Sequence, residues 1–135
     1  MPEILRTMEL VRQMLDEIIE LRHTAGGLET AKRLGEICLQ KTGLPLDYVK
    51  RSAPDEILRL LEEGGAMQPI RAIILAELLL SDAEINRDEG RVRDAAIERA
   101  QAYVFIAASI DKLSVEDQIH YRSKMAALKA GIVNE

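Results

Sequence analysis

Gln68-Pro-Ile-Arg-Ala-Ile-Ile-Leu-Ala-Glu-Leu-Leu-Leu-Ser-Asp-Ala-Glu-Ile-Asn-Arg-Asp-Glu89 is the stretch that decides the fold. Placed at 100° intervals, Ile70, Ile73, Ile74, Leu75, Leu78, Leu79 and Leu80 cover most of a helical circumference. Between Arg71 and Asp82 only Glu77 interrupts them. A helix that is apolar nearly all round belongs at the centre of a bundle. Its longest unbroken apolar run, Ala72-Ile-Ile-Leu-Ala76, falls far short of the ~20 residues of a membrane span. The rest of the chain must therefore supply helices to surround it.

Working outward, Gly90 ends this helix and another follows directly, from about Val92 to Asp111. Its expected inner face is Val92, Ala95, Ala96, Ala100, Tyr103, Ala107 and Ile110, small residues that let a neighbouring backbone come close. Ser114-Val-Glu-Asp117 is a capping signal that opens a last helix, aligning Tyr121, Met125, Leu128 and Ile132. At the other end, Pro2 to Thr24 centres Ile4, Val11, Leu15 and Ile18 on one face, with Met8, Met14, Ile19, Leu10 and Leu21 flanking. Gly26-Gly27 stops that helix, and a second, about Leu28 to Thr42, carries Leu28, Ala31, Leu34, Gly35, Cys38 and Leu39 on one side. So short a link predicts an antiparallel hairpin. Between Gly43 and Ala66, Leu46 to Lys50 makes a turn or two, and Ser52-Ala-Pro-Asp55 reads as the cap of a helix through Ile57, Leu58, Leu60 and Leu61, closed by Gly64-Gly65. No stretch alternates with a period of two, so no sheet is expected. The reading is all-α: a compact bundle of about six helices forming one domain over residues 1–135.

Composition sets the limits on function. A chain of 135 residues buries roughly two-thirds of its surface on folding, enough core to need neither disulfides nor a structural metal. With 47% apolar and 30% charged residues it is too apolar for disorder. The net charge of −5 disfavours a nucleic-acid surface. A helix-turn-helix reading of Ala31 to Leu61 meets the same objection, because Leu28 to Glu63 holds six basic and seven acidic residues. One cysteine, Cys38, excludes an intramolecular disulfide; on the apolar side of its helix it reads as an inert buried thiol. The N-terminus carries no basic-then-apolar export signal, and with no membrane span the expected compartment is the cytoplasm.

Few residues invite chemistry. Glu20-Leu-Arg-His23 and Asp117-Gln-Ile-His120 share the acid-x-x-His spacing that puts two ligands on one helix face, as in di-iron bundle proteins. A metal-binding bundle enzyme is thus the alternative function, but Glu20 falls on a polar face and His23 at a helix end, so no catalytic residue, cofactor or metal is assigned. Asp82-x-Glu84-x-Asn86-x-Asp88 imitates a calcium loop, yet Arg87 stands where the turn glycine is required and Arg93 where the bidentate glutamate is required. It reads as a solvated helix end. Arg87, Arg91, Arg93 and Arg99, interleaved with Asp88, Glu89, Asp94 and Glu98, read as an exposed charged turn that doubles as a candidate partner patch at Arg87 and Arg91. The first helix supplies the other partner candidates, Leu10, Met14 and Leu21. Its apolar residues span about 220° of the wheel against the ~100° stripe one contact fills, and a homodimer through that strip is expected.

Ala76 to Ala108 resembles a tetratricopeptide repeat: Ala83, Gly90, Ala95 and Ala102 fall at that motif's small positions, whereas Asn86 and Arg99 stand where bulky residues are usual. The whole chain is similar to a family of small bacterial all-helical proteins of no established activity. Met8-Glu-Leu-Val-Arg-Gln-Met14, Gly43-Leu-Pro-Leu46 and Ala76-Glu-Leu-Leu-Leu-Ser-Asp-Ala-Glu-Ile85 carry that similarity. The resemblance implies a helical interaction scaffold. The expected function is therefore non-catalytic, binding a second copy, another protein or a peptide.

Overall fold

The computed structural model describes residues 2–63, 65 and 68–134, with the side chains of 2–7, 10 and 132–134 outside the description. Six α-helices and no strand occur among the described residues: α1 (Pro2–Thr42), α2 (Leu46–Arg51), α3 (Pro54–Glu62), α4 (Gln68–Asp88), α5 (Val92–Ser109) and α6 (Val115–Asn134). A single 3-10 turn, Ile110–Lys112, joins the last two. None of these helices is long and apolar enough to cross a membrane. The all-α bundle read from the sequence is the observed fold.

The first long element is bent back on itself. Gly26, at φ 83° and ψ 179°, is the one non-helical residue within Pro2–Thr42. Arg33 Nε lies 3.2 Å from Glu17 Oε1. In a straight helix sixteen residues would separate them by about 24 Å, so the two arms run antiparallel. Gly26 supplies the left-handed turn; Gly27 supplies room, since a Cβ there would stand 3.2 Å from Ile85 Cγ2 of α4 and 2.6 Å from Glu89 Oε1 just past its end. Helix resumes immediately after Gly26.

Two faces differ from the sequence reading. In the second arm of α1 the buried residues are Thr30, Leu34, Ile37, Cys38 and Thr42, while Leu28 and Leu39 face solvent. On α5 the inner face is Ala95, Glu98, Gln101, Ala102, Phe105, Ile106 and Ser109. Ala100 and Ala107 are exposed, Val92 is 58% exposed, and Ala96 and Tyr103 are only half-buried. The helix is turned by more than a quarter revolution because two polar residues point inward. In the first arm, Met8, Val11, Met14 and Ile18 are all buried, so one described residue on each flank of its broad apolar face is in the core, while Ile19 is 52% exposed. Ile4, Leu5, Leu10 and Ile132 lie outside the described side chains.

Central burial of α4 is as expected. Ile70, Ala72, Ile73, Leu75, Ala76, Leu78 and Leu79 are wholly enclosed. α5 makes the most extensive contact with it and α1 the next. Ser114 caps α6 as read, its Oγ accepting from the Asp117 backbone N–H at 3.2 Å. Ser52 does not cap α3. It closes α2, its hydroxyl donating to the Tyr48 carbonyl at 2.7 Å, and Ala53 occupies the N-cap.

Ala102 is fully buried and Ala100 is exposed on the same helix. Ala102→Leu is expected to overpack the bundle and cost about 1–3 kcal/mol, whereas Ala100→Leu stays within about 0.5 kcal/mol of the parent. Denaturant melts of the two variants in dilute protein check this, and the reverse ranking would contradict the rotation of α5.

Candidate functional site

A groove of about 670 Å³ is bounded by α4, α5 and α6. Leu80, Ala95, Ala127 and Leu128 line it, with Val92 at one edge. Arg87, Arg99, Lys124 and Glu84 also line it. Three of these charges are already engaged inside the protein. Lys124 Nζ donates to the buried Glu77 carboxylate at 2.6 Å, Glu84 pairs with Arg22, and Arg99 has an interaction of its own. The groove is thus an apolar trough with the exposed Arg87 guanidinium at its rim, a geometry suited to holding an apolar segment that carries an acidic residue.

Behind α5 lies a polar centre that local sequence reading missed. Lys50 Nζ of α2 donates to Asp82 Oδ2 of α4 at 2.8 Å. Asn86 donates to Asp82 at 3.4 Å and to Glu98 Oε1, and accepts from Arg91 Nε at 2.8 Å. Gln101 Nε2 donates to the Lys50 carbonyl at 2.9 Å. Asp82, Asn86 and Glu98 are each at least 95% buried. The stretch from Asp82 to Asp88, read as a solvated end, is therefore half interior: Asp82 and Asn86 point inward, Glu84 and Asp88 outward.

Two carboxyl groups this deep and this close cannot both ionise. Burial pushes the Glu98 carboxyl up to about 9, and hydrogen bonding to Asp82 pushes in the same direction. Burial works to raise Asp82 as well, but its bonds to Glu98 and Lys50 outweigh that and hold it below the usual aspartate range. Burial works to lower Lys50, and Asp82 outweighs it, so the ammonium is held above its usual range. Glu98 Oε2 has no hydrogen-bond partner among the described residues. The shifts favour a protonated Glu98 beside an ionised Asp82 and the Lys50 ammonium. Enclosed as it is, the centre holds helices together.

The histidines do not meet. His120 lines a cleft with Arg12, Leu15 and Asp16, while His23 lines another with Arg22, Ile85 and Asp88. Asp117 is committed to Arg12 at 2.7 Å and to the Ser114 cap. No three His, Cys, Asp or Glu side chains among the described residues are placed to hold a metal. Of the partner candidates, Arg87 lies on the groove rim. Arg91 is tied to Asn86 and Glu89. Met14 is core, Leu21 is half-buried, and the side chain of Leu10 is outside the description. The apolar strip on the first helix that motivated a dimer there is reduced, on its described side chains, to the half-buried Leu15 and Leu21 and the 52%-exposed Ile19. Cys38 is buried in the core and its thiol is pushed up by that burial, as an inert cysteine should be.

A pH signature follows from the acid pair. Folding keeps a proton on Glu98 that the unfolded chain releases in the ordinary glutamate range. That contribution is complete below the ordinary range and is lost as pH rises toward about 9. Asp82 has the opposite sign: its contribution is present above the ordinary aspartate range and is lost as pH falls through its lowered value. Denaturant midpoints are expected to peak in mildly acidic solution and fall toward pH 9. Glu98→Gln, whose amide can donate permanently to Asp82, flattens the alkaline limb at a cost of under ~1 kcal/mol. An unchanged slope in that variant would assign the alkaline loss to other groups.

No protein-family model, curated protein or solved structure matches this chain.

Proposed function

We propose that the protein is a non-catalytic helical interaction module of the cytoplasm, and that the α4–α5–α6 groove receives an amphipathic segment of a partner. The observation carrying this is the pairing of an apolar lining, Leu80, Ala95 and Leu128, with the exposed guanidinium of Arg87 at the rim. An amphipathic helix fills such a trough with residues spaced i, i+3, i+4 and i+7. Acidic residues on its flanks would meet the rim, steering encounter and fixing direction more than adding affinity. The small buried residues Ala83, Ala95 and Ala102, with the turn at Gly90, support a tetratricopeptide-like reading of the α4–α5 hairpin. Asn86, at a position where that motif usually has a bulky side chain, is used here by the polar centre. The enzyme alternative has less support, because His23 and His120 line different clefts and Glu20 lines neither.

The test is selection of binders from a displayed library of amphipathic helical peptides, followed by titration against Arg87→Glu and Val92→Glu. Both positions are exposed, so the fold should be unaffected. Selected peptides are expected to carry Asp or Glu beside an apolar stripe and to bind each variant about tenfold more weakly, a loss of roughly 1.4 kcal/mol. Binders without acidic enrichment, or indifferent to both substitutions, would refute the groove as the docking site.

A further inference from the structure

We propose that the outward face of α5 is a homodimer interface in which two copies of the helix lie antiparallel. From Ala100 to Ile110, Ala-Gln-Ala-Tyr-Val-Phe-Ile-Ala-Ala-Ser-Ile, the chain carries no charged residue. A bundle helix ordinarily turns a polar face to water; α5 is inverted. Glu98 and Gln101 are on its buried side. Ile97 is 48% exposed, Ala100 and Ala107 are exposed, and Val104 is half-buried. These four fall within about 40° of a single line along the helix. Opposite charges flank that line, Arg93 in the first turn of α5 and Asp111 in the 3-10 turn just beyond its C-terminus, both exposed.

The bracketing charges identify the occupant. A partner helix that fits this face must be apolar for about four turns, with an acidic group where Arg93 stands and a basic one where Asp111 stands. The same face of a second copy, reversed, meets all of these requirements. With Arg93 opposite Asp111 of the partner subunit, Ile97 falls opposite Ala107 of the partner subunit and Ala100 opposite Val104 of the partner subunit. Each larger side chain meets a smaller one, and the arrangement closes on a two-fold axis. A parallel pairing would instead set like charges together at both ends. Asp111 is available for this role: Arg122 stands 3.9 Å away, beyond hydrogen-bonding distance, and the Asp111 side chain is 89% exposed. The face is also clear of the groove, which uses Val92, Ala95 and Arg99 of the same helix. A single helix pair is at the small end of stable interfaces, so association in the micromolar range is expected.

Sedimentation equilibrium of the full chain, from roughly 1 to 300 µM, a span chosen to bracket micromolar association, is the test. The parent is expected to pass from monomer to dimer. Ala100→Glu, at an exposed position, remains monomeric with unchanged helicity and Tm. Arg93→Asp and Asp111→Arg each weaken the dimer about tenfold or more, and the double variant, which restores opposite charges, recovers it. A parent that stays monomeric at the highest concentration overturns the proposal. So does a dimer that survives Ala100→Glu, or two weakened single variants whose combination is not rescued.

Discussion

Three polar side chains on the central helix must be answered inside the protein, and the arrangement of the other helices follows from that. Glu77, Asp82 and Asn86 of α4 are each at least 95% buried. Left unpaired, a buried polar group costs kilocalories, and a buried charge costs more. Each finds its partner on a different element: Glu77 at Lys124 of α6, Asp82 at Lys50 of α2, Asn86 at Glu98 of α5. The apolar residues of α4 are non-directional and would accept many packings. The three polar ones accept few. Hydrophobic burial supplies the drive to enclose α4, and these hydrogen bonds select which helix stands where and at what rotation.

This division explains what the sequence reveals. Periodicity locates the helices and the centrality of α4, because both depend on residues a few places apart. Rotation of α5 was misread because Glu98 and Gln101 look like surface residues until Asn86, Asp82 and Lys50 are brought beside them. Lys50 and Asp82 lie 32 residues apart, and no local spacing rule connects them. The two serine signals make the same point on a smaller scale. Ser114-Val-Glu-Asp117 caps its helix through Ser114, whereas Ser52-Ala-Pro-Asp55 does not cap through Ser52. A residue preceding proline is kept extended, and Ala53, at φ −67° and ψ 135°, occupies the N-cap in front of Pro54. Pro54 sets the helix start one residue too late for Ser52 to reach it.

Apolar width on a helical wheel is likewise an unreliable guide to what remains uncovered. The first arm of α1 has a broad apolar face, but its own second arm folds back beside it and α4 lies beneath, so Met8 and Met14 end in the core. By the count of apolar residues α5 looked like an ordinary amphipathic helix. Its inner side takes in Glu98 and Gln101, while from Ala100 to Ile110 it carries no charged residue, and only the three-dimensional placement of Glu98 shows this.

Glu98 therefore has an influence beyond its own hydrogen bonds. It lies between Ile97, on the outward line of α5, and Arg99, on the groove rim. Each residue advances a helix by 100°, so fixing the direction of Glu98 fixes those of both neighbours. If Glu98 turned out to solvent by one residue step, Ile97 would enter the polar centre or Arg99 would leave the rim. The bond from Asn86 and the buried polar surroundings of Glu98 oppose both movements. The presentation of both candidate surfaces, groove and outward face, thus depends on an acid that contacts neither a groove ligand nor a second subunit.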